Sequence, residues 1–156
     1  MRKVIDLCLD MPDFEEDLIR TAQHFCLPEF KEAWGGYREN FSPETFDLTV
    51  ETIQYILKQA NVKNTFFSIE SMPWMIPSSP EEYLKLIKAV NHPRFGAHLD
   101  LVNMITSPRK YFFNDEFIRE CFEILKGHIC SCHLRDIYLK EEFTFQLQEC
   151  AVGDGT

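Results

Sequence analysis

Residues 65–75, with the sequence TFFSIESMPWM, decide the fold that we predict for this chain. An apolar run in this stretch predicts a β-strand, and the strand delivers the carboxylate of Glu70 to the point where a loop begins. Side chains alternate across a strand, so Glu70 shares one face with Ser68 and Phe66. Glu70 is therefore the first candidate for a functional residue.

Two later strand-like runs also end on side chains that can bind a metal. Residues 95–100 (FGAHLD) end on Asp100, and residues 129–133 (ICSCH) end on His133. The carboxyl ends of parallel strands share one edge of a sheet, so we expect these two side chains to converge there with Glu70. Such ligands suit Mn²⁺, Mg²⁺, Co²⁺ or Zn²⁺, and the residues leave the choice open. Taken singly, each side chain has a structural alternative, such as capping a helix or pairing with an arginine.

The same alternation sorts the neighbours of these candidates between the two faces of the sheet. His98 and Ser131 lie on the face of the candidate ligands. Cys130 and Cys132 then lie on the opposite face, which packs against a helix. We therefore interpret these cysteines as buried structural thiols and not as a C-x-C metal site.

The rest of the chain alternates between strand and helix. Ser42-Pro43, Ser79-Pro80 and Asn114 mark the starts of three predicted helices. Their predicted inward residues are Phe46, Val50, Ile53, Leu57 and Ala60, then Tyr83, Leu86, Ile87 and Val90, then Phe117, Ile118, Cys121, Phe122 and Leu125. The other predicted elements are strands at 4–9, 29–34 and 143–150, a helix from Asp13, a Gly35-Gly36 loop and a loop around Pro108. This alternation predicts an α/β fold with right-handed βαβ units and a parallel sheet.

Length and composition restrict the class of protein. With 156 residues, 45% of them hydrophobic, residues 1–156 are predicted to form a single domain. A net charge of −9 argues against a nucleic-acid partner. No apolar run approaches the ~20 residues of a membrane span, and no secretory leader is recognisable. We therefore expect a cytoplasmic protein with reduced cysteines and no membrane partner.

Several motifs resemble those of the sugar phosphate isomerase/epimerase family with the xylose isomerase-like TIM barrel. They lie in the runs WGGYRENFSPETFDLTVETIQYIL, FFSIESMPWMIPSSPEEYLKLIKAV, FGAHLDLVNMITSPRKYF, CHLRDIYL and QLQECAVGDGT. The resemblance covers the chain from about Trp34 to its end. The motifs E-x-M-P-W-M, H-L-D-x-V-N and C-H-x-x-D-I are specific as a set, although each is weak alone.

The resemblance implies a metal centre with one ligand missing from this sequence. In such enzymes a Glu, an Asp, a His and a second Glu hold the metal, and Glu70, Asp100 and His133 match the first three. The second Glu lies beyond a G-x-G turn that corresponds to residues 153–155, and the sequence stops at Thr156. Glu149 would replace it only if a bulge reversed its orientation.

The resemblance also implies an incomplete barrel. A closed eight-stranded barrel takes roughly 250 residues, so we expect a partial (β/α) TIM barrel with five or six parallel strands. Its sheet edges would be open unless a partner or a second copy covers them, and we therefore expect a homo-oligomer.

The implied substrate is a small-molecule sugar or sugar phosphate. Glu70 would act both as a metal ligand and as the acid/base that moves a proton through an enediolate. Asn103 stands where some epimerases carry a substrate-binding histidine, and Trp34 and Trp74 are further candidates for substrate contact.

The missing ligand leaves open whether the chain alone is an active enzyme. The alternative is a non-catalytic remnant or a binding module that a partner completes. A relative of the abasic-site endonucleases is disfavoured by the charge of −9 and by the small number of recognisable ligands.

We predict that all six cysteines are free thiols. Cys130 and Cys132 point the same way along one strand and lie too far apart to bridge without distortion. Thiol titration of freshly purified protein under denaturing, non-reducing conditions should therefore find six reactive groups. A stoichiometric loss of thiols would contradict this prediction.

Overall fold

The computed structural model of the chain describes residues 37–155. The predictions that lie outside the described residues are the strands at 4–9 and 29–34, the helix from Asp13, the Gly35-Gly36 loop and the position of Trp34. A short 3-10 turn, Arg38–Phe41, opens the described part. None of the described helices combines the length and the apolar character needed to cross a membrane.

The first long helix, α1, spans Pro43–Ala60 and begins as predicted. The Ser42 hydroxyl accepts a hydrogen bond from the Thr45 amide at 3.1 Å, and proline occupies the first helical turn, where its missing N–H has no cost. The predicted stripe faces the core. Its buried members are Phe46, Ile53 and Leu57, with Val50 packed against them.

The second long helix, α2, spans Pro80–Val90, and two side-chain hydrogen bonds stabilise its N-terminus. The Ser79 hydroxyl accepts from the Glu82 amide at 3.2 Å. The Glu82 carboxylate reaches one residue further back than a capping box requires and accepts from the backbone amide of Ser78 at 2.7 Å. All the predicted inward residues are buried, namely Tyr83, Leu86, Ile87 and Val90.

Three chain segments run parallel at the centre of the fold. Strand β1, Ala97–Asp100, pairs in parallel with β2, Ile129–His133. Isolated parallel bridges at Phe67 and Glu70 place the stretch that ends at Glu70 along the other side of β1. β1 therefore lies in the middle, and the carboxyl ends of all three segments share one edge.

Between β1 and the next long helix, the chain forms two short helices where we predicted a loop around Pro108. They are α3, Leu101–Met104, and α4, Pro108–Phe112. The Ser107 hydroxyl accepts from the Lys110 amide at 3.2 Å. The Ser-Pro pair is thus the same helix-start signal that we recognised at two other places in the sequence.

Helix α5 spans Asn114–Ile124 and corrects two predictions. Asn114 is the first helical residue and not the cap, and its side-chain amide donates to the Tyr111 carbonyl at 2.9 Å. Phe122 is 48% exposed although we expected it to face inward. It lies about 100° around the helix from Cys121, which is at the centre of the buried face. The residues of that face are Phe117, Cys121 and Leu125.

An antiparallel hairpin follows β2 where we predicted a continued parallel sheet. Strand β3, Asp136–Lys140, pairs with β4, Gln146–Cys150. Residues 141–145 alone connect the two strands, which is too short for a parallel crossover of a dozen or more residues. The predicted last strand at 143–150 therefore starts later than expected, and its pairing is antiparallel.

Four cysteines lie within the described residues, and all four are free thiols. Cys121 is buried, and this burial raises the pKa of its thiol to about 12. Cys132 is exposed, so the prediction that it is a buried thiol is wrong. After β2 the chain continues into the hairpin and not into a helix that would pack over this face.

The Tyr83 hydroxyl links helix α2 to two of the parallel segments. The side chain is fully buried. Its hydroxyl donates a hydrogen bond to the Ile69 carbonyl and accepts one from the His98 amide at 3.1 Å. Both partners are backbone groups next to the candidate site, so Tyr83 satisfies polar groups that the short parallel pairing leaves over.

We expect Tyr83→Phe to lower the free energy of unfolding by about 1–3 kcal/mol, because it removes the hydroxyl that pairs with the Ile69 carbonyl and the buried His98 amide. Tyr138→Phe is the matched control, since the Tyr138 hydroxyl donates to Gln148 at 2.7 Å on the exposed surface. The control should change stability by less than about 0.5 kcal/mol. Urea denaturation measures both, and equal effects of the two variants would contradict the proposed link.

Candidate metal centre

Glu70 stands at the carboxyl end of its segment, where it forms a parallel bridge with His98 of β1. The side-chain amide of Asn103 donates to Glu70 Oε1 at 3.1 Å and so fixes the orientation of the carboxylate. The Glu70 side chain is 22% exposed. The carboxylate is thus held by the protein and still open to a ligand.

His133 brings the two predicted carboxylates together. It pairs with Asp100 in the register of β1 and β2. Its Nδ1 lies 3.3 Å from Glu70 Oε1 and 3.2 Å from Asp100 Oδ2. The structure therefore gathers all three predicted metal ligands at one edge of the sheet, and their binding of a metal stays a prediction.

Arg135 is a residue of this cluster that the sequence analysis missed. Its Nη2 donates to Asp100 Oδ2 and, at 2.8 Å, to Asn103 Oδ1. The same nitrogen lies 3.7 Å from Glu70 Oε1. Arg135 follows His133 by two positions in the C-H-x-x-D-I motif, but it lies past the end of β2, so strand parity does not determine where its side chain points.

Glu149 reaches the cluster through Arg135. Its Oε2 accepts from Arg135 Nη1 at 3.0 Å, and its side chain is 58% exposed. Glu149 could replace the second glutamate of the family only if a bulge reversed its orientation. The structure instead makes it an outer partner of the guanidinium.

The remaining members of the cluster are His98 and Ser131, which strand alternation had placed on this face. His98 Nδ1 lies 2.8 Å from Ser131 Oγ. The rings of His98 and His133 meet edge to face, with their centroids 4.2 Å apart. We did not predict His98 as a ligand, although its parity with Asp100 was visible in the sequence.

The environment shifts the pKa values of the Glu70 and Asp100 carboxyl groups in opposite directions. Burial raises the pKa of Glu70, and the nearby Asp100 raises it further. Burial acts the same way on Asp100, but hydrogen bonds from Glu70, Arg135 and His133 outweigh it and hold the pKa of Asp100 below its usual value. Without a cation, Glu70 is therefore the carboxyl group that takes up a proton first.

The environment also shifts the pKa values of the His98 and Arg135 side chains. Burial lowers the pKa of His98, and the neighbouring His133 lowers it further, so His98 is neutral at pH 7. For Arg135 the effect of burial is outweighed by its hydrogen bond to Asp100, and the pKa of the guanidinium is raised. Arg135 thus carries a permanent positive charge.

The structure describes two of the three predicted substrate-binding residues, Asn103 and Trp74. Asn103 contacts Glu70 directly. Trp74 lies in the loop after Glu70, and its carbonyl accepts from the Asn40 side chain at 2.9 Å. The indole Nε1 of Trp74 is buried and has no hydrogen-bond partner within the described residues. Trp34 lies outside the described residues, so the predicted role of all three residues stays a prediction.

The donor atoms of the cluster fit a divalent cation. His98 Nε2 and Asp100 Oδ1 are buried and make no hydrogen bond within residues 37–155, which is costly unless a ligand satisfies them. Glu70, His98 and His133 each offer a ligand atom within 4.8 Å of the other two. Three carboxylates, those of Glu70, Asp100 and Glu149, pair with the single guanidinium of Arg135 among the described ion pairs. A dication would offset the excess negative charge.

Comparison with known proteins agrees with this architecture. Residues 2–148 match the protein family described as xylose isomerase-like TIM barrel. The chain therefore belongs to the xylose isomerase-like TIM barrel family. No curated protein matches the chain.

Solved structures of the same fold come from several bacteria. A xylose isomerase-like TIM barrel protein from Mycobacterium smegmatis, solved in complex with magnesium, is similar over 94% of this chain and 55% of its own, at 15% identity and a TM-score of 0.61. The probable 3-DHS dehydratase AsbF of petrobactin synthesis from Bacillus anthracis is similar over 83% of this chain and 47% of its own, at 21% identity and a TM-score of 0.55. At these identities the likeness shows the fold alone.

A further similar structure is a xylose isomerase domain protein from Planctomyces limnophilus, with 25% identity, a TM-score of 0.51 and coverage of 73% of this chain and 38% of its own. This chain thus spans between 38% and 55% of the solved proteins that it resembles. The predicted fold class, a partial (β/α) barrel, is confirmed. Residues 37–155 contain three parallel segments and an antiparallel hairpin, which is fewer parallel strands than the five or six predicted.

We expect Glu70→Gln to raise the free energy of unfolding of the metal-free protein at neutral pH. The pKa of Glu70 is raised in the folded state, so its ionised carboxylate weakens folding above that pKa. The gain should shrink as the pH falls through the raised pKa towards the ordinary value of 4.5.

Urea denaturation in the presence of a chelator, repeated at several pH values, measures this effect. Glu123→Gln on the surface of α5 is the control, because its side chain is 76% exposed, and it should change stability by less than about 0.5 kcal/mol at every pH. A gain for Glu70→Gln that does not vary with pH would contradict the electrostatic origin.

Proposed function

We propose that this chain is a metal-dependent sugar or sugar phosphate isomerase/epimerase-like protein. The observation that carries the proposal is the meeting of Glu70, Asp100 and His133 at the carboxyl edge of parallel segments, with His133 Nδ1 within 3.3 Å of both carboxylates. Membership of the xylose isomerase-like TIM barrel family supports it. In this architecture the carboxyl edge of the strands is the place where active sites lie.

The metal would be held by Glu70, Asp100 and His133. When bound, a divalent cation supplies Lewis-acid polarisation of substrate oxygens and so acidifies the neighbouring C–H bond. The magnesium in the M. smegmatis protein makes Mg²⁺ one candidate. Mn²⁺, Co²⁺ and Zn²⁺ suit the same donor atoms.

Glu70 would carry the proton. Its carboxylate lies at the carboxyl edge beside His133, where it would accept the substrate proton as a general base. It would take the proton from the carbon next to the substrate carbonyl and return it after the enediolate forms. The hydrogen bond from Asn103, at 3.1 Å, keeps one carboxylate oxygen in place during this transfer.

Polar groups around Glu70 would orient the substrate. Trp74, in the loop after Glu70, is proposed for this role from the sequence motif, and its indole N–H has no partner among the described residues. Asn103 lies between Glu70 and Arg135 and can recognise a second hydroxyl. Trp34 is proposed for the same role from the sequence motif alone.

A second candidate function is a binding module without turnover. It is favoured by the position of Arg135, because its guanidinium already donates a hydrogen bond to Oδ2 of the predicted metal ligand Asp100. In that case the chain would bind a cation or a sugar without exchanging a proton.

The decisive test is exchange of the substrate C–H proton with solvent. The protein is incubated in D₂O with Mn²⁺ and a panel of ketoses, aldoses and their phosphates, and proton NMR follows the loss of the signal next to the carbonyl. We expect exchange with at least one member of the panel. Glu70→Gln should reduce the rate by about 100-fold or more, whereas the exposed control Glu123→Gln should not change it.

Calorimetry with Mn²⁺ complements the exchange experiment. Asp100→Asn should abolish measurable affinity while the far-UV circular dichroism stays unchanged. Metal binding without proton exchange for the whole panel would favour the binding module. Exchange that persists in Glu70→Gln would refute the assignment of the base.

A further inference from the structure

His98 has the features of a metal ligand and lies outside the ligand set that the family resemblance implies. The residue is 6% exposed, so it is almost fully withdrawn from solvent. Its Nε2 is buried and makes no hydrogen bond within the described residues. A core histidine with only a structural role normally satisfies both ring nitrogens.

Ser131 on the neighbouring strand orients the ring. His98 Nδ1 lies 2.8 Å from Ser131 Oγ. With the Nδ1 proton donated to that oxygen, the neutral ring carries its free lone pair on Nε2. This is the arrangement of metal-binding histidines, whose second ring nitrogen typically donates to a nearby acceptor.

The surroundings of Nε2 supply the rest of a site. Glu70, His98 and His133 each offer a ligand atom within 4.8 Å of the other two. By contrast, Asp100 Oδ2 already accepts a hydrogen bond from Arg135. Asp100 Oδ1, like His98 Nε2, is buried and unpaired within the described residues, so both atoms are free to bind a cation.

We propose that His98 binds the divalent cation through Nε2, together with Glu70 and His133, and that Ser131 is its positioning residue. The proposal rests on the proposed function, since it concerns the same cation. It also narrows the choice of metal. Two imidazoles and a carboxylate suit Zn²⁺ and Co²⁺ better than Mg²⁺, which prefers oxygen ligands.

The first test compares Co²⁺ affinities by calorimetry. His98→Asn keeps an amide N–H near the place of Nδ1 and removes Nε2, and we expect it to weaken Co²⁺ binding by about 100-fold or more. Ser131→Ala should weaken it by about 10-fold, as is typical for a partner that orients a ligand. His128→Asn, at an exposed position just before β2, is the control and should leave the affinity unchanged.

A second test needs no variant. X-ray absorption spectroscopy of the wild-type protein loaded with Co²⁺ counts imidazole ligands through their scattering pattern. Two imidazoles are expected, from His98 and His133. One imidazole would overturn the proposal, even where His98→Asn fails to fold.

The outcomes separate this inference from the proposed function. Unchanged Co²⁺ affinity in His98→Asn, with affinity lost in Glu70→Gln, overturns the role of His98 and leaves the proposed function standing. Loss of Co²⁺ in His98→Asn supports the inference even where the sugar panel shows no proton exchange. A wild-type protein that binds none of Co²⁺, Zn²⁺, Mn²⁺ and Mg²⁺ overturns both proposals.

Discussion

The carboxylate of Asp100 is the constraint on which this structure depends. It has no solvent exposure, and an ionised carboxylate withdrawn from water is costly unless charged or polar groups surround it. Its partners come from different elements, His133 at the end of β2 and Arg135 before β3. Arg135 in turn binds Glu149 of β4 at 3.0 Å. One buried charge thus joins the parallel segments to the antiparallel hairpin.

The part of the site that lies at the ends of the three parallel segments could be predicted from the sequence. Strand parity and the shared carboxyl edge predict that Glu70, Asp100 and His133 meet, and the structure places them in contact. Parity also put His98 and Ser131 on the same face. These rules succeed because a strand has one fixed period and a parallel sheet has one direction.

The predictions that were wrong or incomplete concern features of the chain that the two-residue period of a strand does not determine. Arg135 was missed because it lies just past the end of β2, where the turn decides which way a side chain points. The hairpin was missed because we assumed continued alternation, although the short connection at 141–145 excludes a parallel crossover. The prediction that Cys132 is buried was wrong for the same reason, since a hairpin follows β2 in place of the expected covering helix.

The Tyr83 hydroxyl has a consequence for the direction in which the site faces. It holds the Ile69 carbonyl and the His98 amide at the same time, so it sets how far the first segment can slide along β1. A slip of one residue in a strand turns every side chain to the other face of the sheet. Through this hydroxyl, helix α2 therefore fixes the register of the first segment against β1 and keeps Glu70 on the side where His133 lies.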